Sequence, residues 1–228
     1  MIRLLLALAV LLAAPAPAQT NWATHTVAAP GGGMVLGSPT ARLKLVEYGS
    51  LTCPHCRDFH LAGATPLVRD YVARGLVSYE YRSLVLNGPD LAASVLARCD
   101  GPLPFFRRVG AFYRDQERWI AAFGQANAAA QARVDAAPEG QKLFVFAQVG
   151  GLDRYATATL GMPPARVRQC LLSTPVRTAV MAIGRAANSQ GVSGTPTFFI
   201  NGQRLDGNTW PFVEAALRAR LGLAPKAG

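Results

Sequence analysis

The stretch Ser50-Leu51-Thr52-Cys53-Pro54-His55-Cys56-Arg57-Asp58-Phe59-His60 follows Leu43-Lys44-Leu45-Val46-Glu47-Tyr48, whose alternating β-forming residues predict a strand. Gly49 to Thr52 reads as a turn. A helix is expected from Cys53 to Ala62, with Pro54 in the first turn, where a missing N–H is tolerated. A cysteine at that position faces unpaired backbone N–H groups and the positive end of the helix dipole, and both favour the thiolate. A protonated His55 would act in the same direction. Cys56 lies three residues on, on the same helical face, where it is expected to be shielded and to resolve mixed disulfides formed at Cys53. A bridge between the two closes almost no loop, so a purely structural role would stabilise little.

Other chemistries fit less well. Covalent haem would want His directly after the second cysteine, and Arg57 stands there. Zinc would want a second close pair, but the remaining cysteines, Cys99 and Cys170, are far apart in sequence. Cys56 and His60 have a legal ligand spacing, so an exported metal carrier built on Cys53, Cys56 and His60 is the competing class. The expectation is nevertheless no metal and no cofactor, with His60 at the surface.

Arg3, the apolar run Leu4 to Ala14 and the Ala16-Pro17-Ala18 pattern predict a secretory signal peptide, residues 1–18, cleaved after Ala18. The apolar run is too short to cross ~30 Å of hydrocarbon. The expected location is therefore periplasmic or otherwise exported, where thiols form lasting disulfides. The formal net charge is +10, but the basic residues are scattered and not interleaved with aromatics. That balance implies attraction to acidic clients and excludes a nucleic-acid site.

Residues 19–33, with Gly31-Gly32-Gly33, read as a flexible segment. Residues 34–88 hold the first strand, the Cys53 helix, a second helix opening at Thr65-Pro66 and a second strand over Leu76 to Arg82. Residues 89–190 are alanine-rich with helical periodicity, a helical insertion of about a hundred residues. Residues 191–228 hold the strand Thr197 to Ile200, the turn Asn201-Gly202, a return strand and a helix from Thr209 to Leu221. Cys99 and Cys170 both fall on apolar helix faces. They are either a bridge or two buried thiols, and an oxidising compartment favours the bridge.

Val46-Glu47-Tyr48, Cys53-Pro54-His55-Cys56 and Ser193-Gly194-Thr195-Pro196-Thr197-Phe198-Phe199-Ile200-Asn201-Gly202 together resemble the DsbA-like thiol:disulfide oxidoreductases of the thioredoxin superfamily. The resemblance implies an α/β thioredoxin fold interrupted by an all-helical domain, which fills the 140 positions between Cys56 and Pro196. It implies that Thr195 and cis-Pro196 face the cysteines and hold an extended client segment. It makes Glu47 the buried acid beneath the pair, a proton shuttle for Cys56. The expected partners are reduced exported proteins and a DsbB-type membrane oxidase. Threonine before the signature proline occurs in isomerase and reductase branches as well as in some oxidases. Only 34 residues separate Ala18 from the Cys53 position, leaving no room for the dimerisation domain of the isomerases, so a monomeric oxidase is expected.

Overall fold

The computed structural model describes residues 20–225, so the predicted signal peptide lies outside the described residues. Among the described residues, six strands form one sheet in the order β1-β2-β4-β3-β5-β6. They are β1 (Thr26–Ala28), β2 (Met34–Leu36), β3 (Leu43–Gly49), β4 (Val77–Ser83), β5 (Thr197–Ile200) and β6 (Gln203–Arg204). β3 is central, parallel to β4 and antiparallel to β5. Its register sets Leu45 beside Tyr79 and Glu47 beside Tyr81. Because side chains alternate across a strand, Leu45, Glu47 and Gly49 share one face with Tyr79 and Tyr81 of β4.

That face is covered by α1 (Pro54–Pro66), which turns Cys56, Phe59, His60 and Gly63 inward. The spacing i, i+3, i+4, i+7 is one helical stripe. Gly63 allows the approach of Trp210, since a Cβ there would lie 2.7 Å from the indole. α1 does not give way to a separate helix at Thr65. It continues into a π-helical stretch, Leu67–Val72, because Pro66 has no N–H for the regular ladder and the chain shifts to the wider turn.

Between β4 and β5 run α2 (Gly88–Arg98), α3 (Pro102–Arg114), α4 (Gln116–Gly124), α5 (Ala128–Asp135), α6 (Lys142–Val149), α7 (Leu152–Ala158), α8 (Pro164–Leu172) and α9 (Thr174–Ser189). α10 (Trp210–Leu221) follows β6. Leu45 and Tyr79 of the sheet belong to the same buried cluster as Leu96, Phe112 and Cys170 of the helices, so the core is continuous across the insertion points. Cys99 and Cys170 are bonded, joining the end of α2 to α8.

The segment read as flexible contributes ordered elements from Trp22 onward: a 3-10 turn, Trp22–Thr24, and the edge strand β1. Besides the pairing of β1 with β2, residues far along the chain hold it. The Trp22 N–H donates to the Ala73 carbonyl, and the Arg98 guanidinium donates to the Gly32 carbonyl.

Candidate active site

Cys53 is the N-cap of α1 and is 6% exposed. Its Sγ lies 3.3 Å from the carbonyl oxygen of Thr195, which precedes Pro196 in a cis peptide bond. Thr195 Oγ1 is buried and has no hydrogen-bond partner among the described residues. The Cys53 thiol is lowered from 9.0 to about 5. The largest cause is the hydrogen bond from the Cys56 thiol, which outweighs the desolvation opposing it; the nearness of Thr195 and the backbone N–H groups of Cys56 and His55 add to the lowering. His55 thus acts through its amide, while its imidazole is exposed.

Cys56 is 0% exposed, and its Sγ accepts the Ser50 N–H at 3.5 Å. Its thiol is pushed far above the ordinary range, first by burial, then by the hydrogen bond to Cys53 and by the negative charge of Glu47. Two sulfurs three residues apart are therefore held at opposite extremes, one as an anion and one as an acid.

Glu47 is fully buried. Alternation sets it on the same face as Leu45 and Gly49, the one α1 covers, and opposite the exposed Lys44 and half-buried Val46. The Tyr79 hydroxyl donates to Glu47 Oε2 at 2.5 Å, and His60 Nε2 lies 3.4 Å from the same oxygen. His60 is not at the surface: it is 9% exposed, stacks on Tyr113 at 4.2 Å and lies 3.3 Å from the Tyr79 hydroxyl. It belongs to the inward stripe of α1, and its spacing from Cys56, Phe59 and Gly63 is the signal that would have found it.

The turn before Cys53 is held by side chains that sequence reasoning missed. Asp90, at the start of α2, accepts from the Ser50 hydroxyl at 2.6 Å and the Leu51 N–H at 3.0 Å. Burial raises its carboxyl from 3.8 to about 6 against the downward pull of these bonds and of those from Leu86 and Ser94. The Tyr113 hydroxyl donates to the Ser50 carbonyl at 3.1 Å. Gln116 Nε2 donates to the carbonyls of both Leu51 and Cys53 at 2.9 Å. Among the described residues, the only triad of Cys, His, Asp and Glu groups spaced as metal ligands is Cys99, Asp100 and Cys170, whose two sulfurs are already bonded to each other. Cys53, Cys56 and His60 do not converge in that way; His60 is turned to Glu47.

A family model described as Thioredoxin matches residues 29–218. The chain belongs to the thioredoxin family. It is similar to the crystal structure of a protein-disulfide isomerase from Novosphingobium aromaticivorans, with 30% identity, a TM-score of 0.76 and coverage of 83% of this chain and 97% of that one. Its fold is also that of Wolbachia pipientis alpha-DsbA1, at 20% identity, TM-score 0.66 and coverage of 86% and 94%. A Rickettsia felis protein named as a protein-disulfide oxidoreductase is 29% identical over 171 residues, 74% of this chain and 53% of that protein. The chain spans about half the length of the curated relatives it matches. Within the family, the thioredoxin-like sheet with helices between β4 and β5 is the DsbA-like architecture expected from the three motifs.

Proposed function

We infer that the protein is a thiol:disulfide oxidoreductase of the DsbA type, in which Cys53 exchanges disulfides with client proteins and Cys56 resolves the mixed intermediate. The observation that carries this reading is the divergence of the two thiols. Cys53, lowered to about 5, is the better nucleophile at neutral pH and the better leaving group; Cys56 is kept from competing. The Thr195 carbonyl beside Cys53 Sγ offers a client backbone a strand-like hydrogen bond next to the reacting sulfur.

The direction we propose is oxidation of exported proteins, with regeneration by a DsbB-type membrane oxidase and with the protein acting as a monomer in the periplasm or an equivalent compartment. Stabilising the Cys53 thiolate stabilises the dithiol, which makes the disulfide the stronger oxidant. Equilibration of the pair with glutathione buffers tests this. A potential well above thioredoxin's, about −270 mV, is expected, and one that low would turn the assignment to a reductase. Isomerase activity is the second reading, favoured by Thr195 and by the Novosphingobium similarity. Recovery of a protein carrying scrambled disulfides, compared with oxidation of a fully reduced one, separates the two.

A further inference from the structure

We propose that His60 is the proton exit of the buried pair, carrying protons between Glu47 and solvent. This rests on the redox reading of Cys53 and Cys56. When a client thiolate attacks Cys53 of the disulfide, a client–Cys53 bond forms and the Cys53–Cys56 bond breaks, leaving its electron pair on Cys56. That sulfur must take a proton, since burial and the Glu47 charge oppose its anion. Reoxidation reverses the flow, and Cys56 must lose the proton before it displaces the partner from Cys53.

Glu47 is the acid whose charge reaches Cys56, but it is fully buried and cannot exchange protons with water itself. Its Oε1 has no hydrogen-bond partner among the described residues, so that oxygen is free to take or give a proton. Its Oε2 faces two groups. The Tyr79 hydroxyl is held protonated, because burial and then the Glu47 charge push it well above its ordinary range, so it positions the carboxyl and does not relay protons. His60 Nε2 is the other, at 3.4 Å. The groups facing His60 are Glu47 from β3, Tyr79 and Tyr81 from β4, and Tyr113 from α3. Both Tyr81 and Tyr113 are also buried and raised far out of the neutral range. Of this set only the imidazole has two ring nitrogens, so that a proton can be taken up at one and given up at the other, and it is also the most exposed member, at 9%. In the client-oxidising direction, the proton on His60 Nε2 passes to the Glu47 carboxylate at Oε2, the carboxyl passes one from Oε1 to Cys56 and returns to its charged form, and water restores the proton of His60. In the reverse direction each transfer runs backward. His60 acts through Glu47 and touches neither client nor sulfur.

The test mixes reduced protein with excess glutathione disulfide, quenches with acid at intervals across pH 5 to 8, and weighs the products. Attack by Cys53 and resolution by Cys56 are then read separately. His60→Gln keeps a polar amide toward Tyr79 and Glu47 but carries no proton, and His60→Ala opens space for imidazole supplied in the buffer. The expected result in both variants is an unchanged first step, resolution slowed on the order of tenfold or more with loss of its pH dependence, and accumulation of the mixed disulfide. Buffer imidazole should restore resolution in His60→Ala, a rescue that a merely structural histidine would not show. Resolution in His60→Gln that matches the parent in rate and pH profile overturns the relay alone. Failure of the parent protein to form any mixed disulfide at Cys53 overturns the redox reading, and the relay with it.

Discussion

Cys53 and Cys56 were legible from eleven residues because the chemistry that separates them is local: a helix start, a proline, and a three-residue step inward. The reading of that stretch named the backbone N–H groups at the helix start and, beside them, a protonated His55. The structure keeps the N–H groups of Cys56 and His55, puts the Cys56 thiol ahead of them and leaves the imidazole exposed. Cys56→Ala is therefore expected to raise the Cys53 pKa by about one unit or more, and His55→Ala, which keeps the N–H, to change it less. Thiolate absorbance against pH ranks the two, and the reverse order would restore the imidazole. The lowered pKa also fixes a stability window. Between about 5 and 9, folded Cys53 is ionised while the unfolded thiol is protonated, so the unfolded state binds more protons and the reduced form gains stability as pH rises. This contribution disappears as pH falls through about 5. Above 9 the raised Cys56 thiol works the other way, holding in the folded state a proton that the unfolded chain releases. The disulfide form has neither effect, and Asp90 titrates in both. Denaturant unfolding of both forms should show the reduced-minus-oxidised difference rising from pH 5 to 9, and a flat difference would contradict the Cys53 value.

β3, β4, β5, α10 and the block of helices from α2 to α9 could be read from the chain by their periodicity, whereas the separate helices of that block were not distinguished, and one of them, α5, buries no residue. β1 and β2 could not be read in this way. Each has three residues; β2 lies between Gly33 and Gly37 and owes its place to β4, far along the sequence, and β1 is the edge strand that pairs with β2. The clamp on the catalytic turn is illegible for the same reason: Gln116 meets Leu51 and Cys53 across more than sixty residues, and nothing near Gln116 distinguishes it from a solvated helix residue. The clamp nevertheless explains how the helices between β4 and β5 serve the site, since Asp90, Tyr113 and Gln116 all reach back to residues 50–53. Gln116→Leu keeps the volume but strands two buried carbonyls, at an expected cost of about 2 kcal/mol. Glu117→Ala, next to it and 83% exposed, should stay within about 0.5 kcal/mol. Equal effects of the two substitutions on urea unfolding would show that the clamp contributes nothing.

Across the whole molecule, the two cysteine pairs divide stability from chemistry. The active pair closes a loop too short to restrict the unfolded chain, while Cys99–Cys170, with a sequence separation of 71, removes far more of its freedom. The bridge fastens one end of α2 to α8, and Asp90 at the other end holds the catalytic turn. Asp90 and Cys99 stand nine positions apart along the helix, roughly 14 Å at the rise of an α-helix. Around the bridge, Asp100 takes guanidinium groups from Arg108 and Arg166, which overcome burial and hold its carboxyl below the usual range, so the α2 end keeps a second attachment when the sulfurs are gone. The double variant Cys99→Ala and Cys170→Ala should therefore fold and be less stable by up to about 4 kcal/mol. Its Cys53 titration should match the parent, because the Asp90 contacts survive. Denaturant unfolding and thiolate absorbance on the same preparation measure both quantities. An unchanged midpoint would mean the bridge does not restrain the unfolded chain. A shifted titration would mean that α2 transmits strain along its length from the bridge to the catalytic turn.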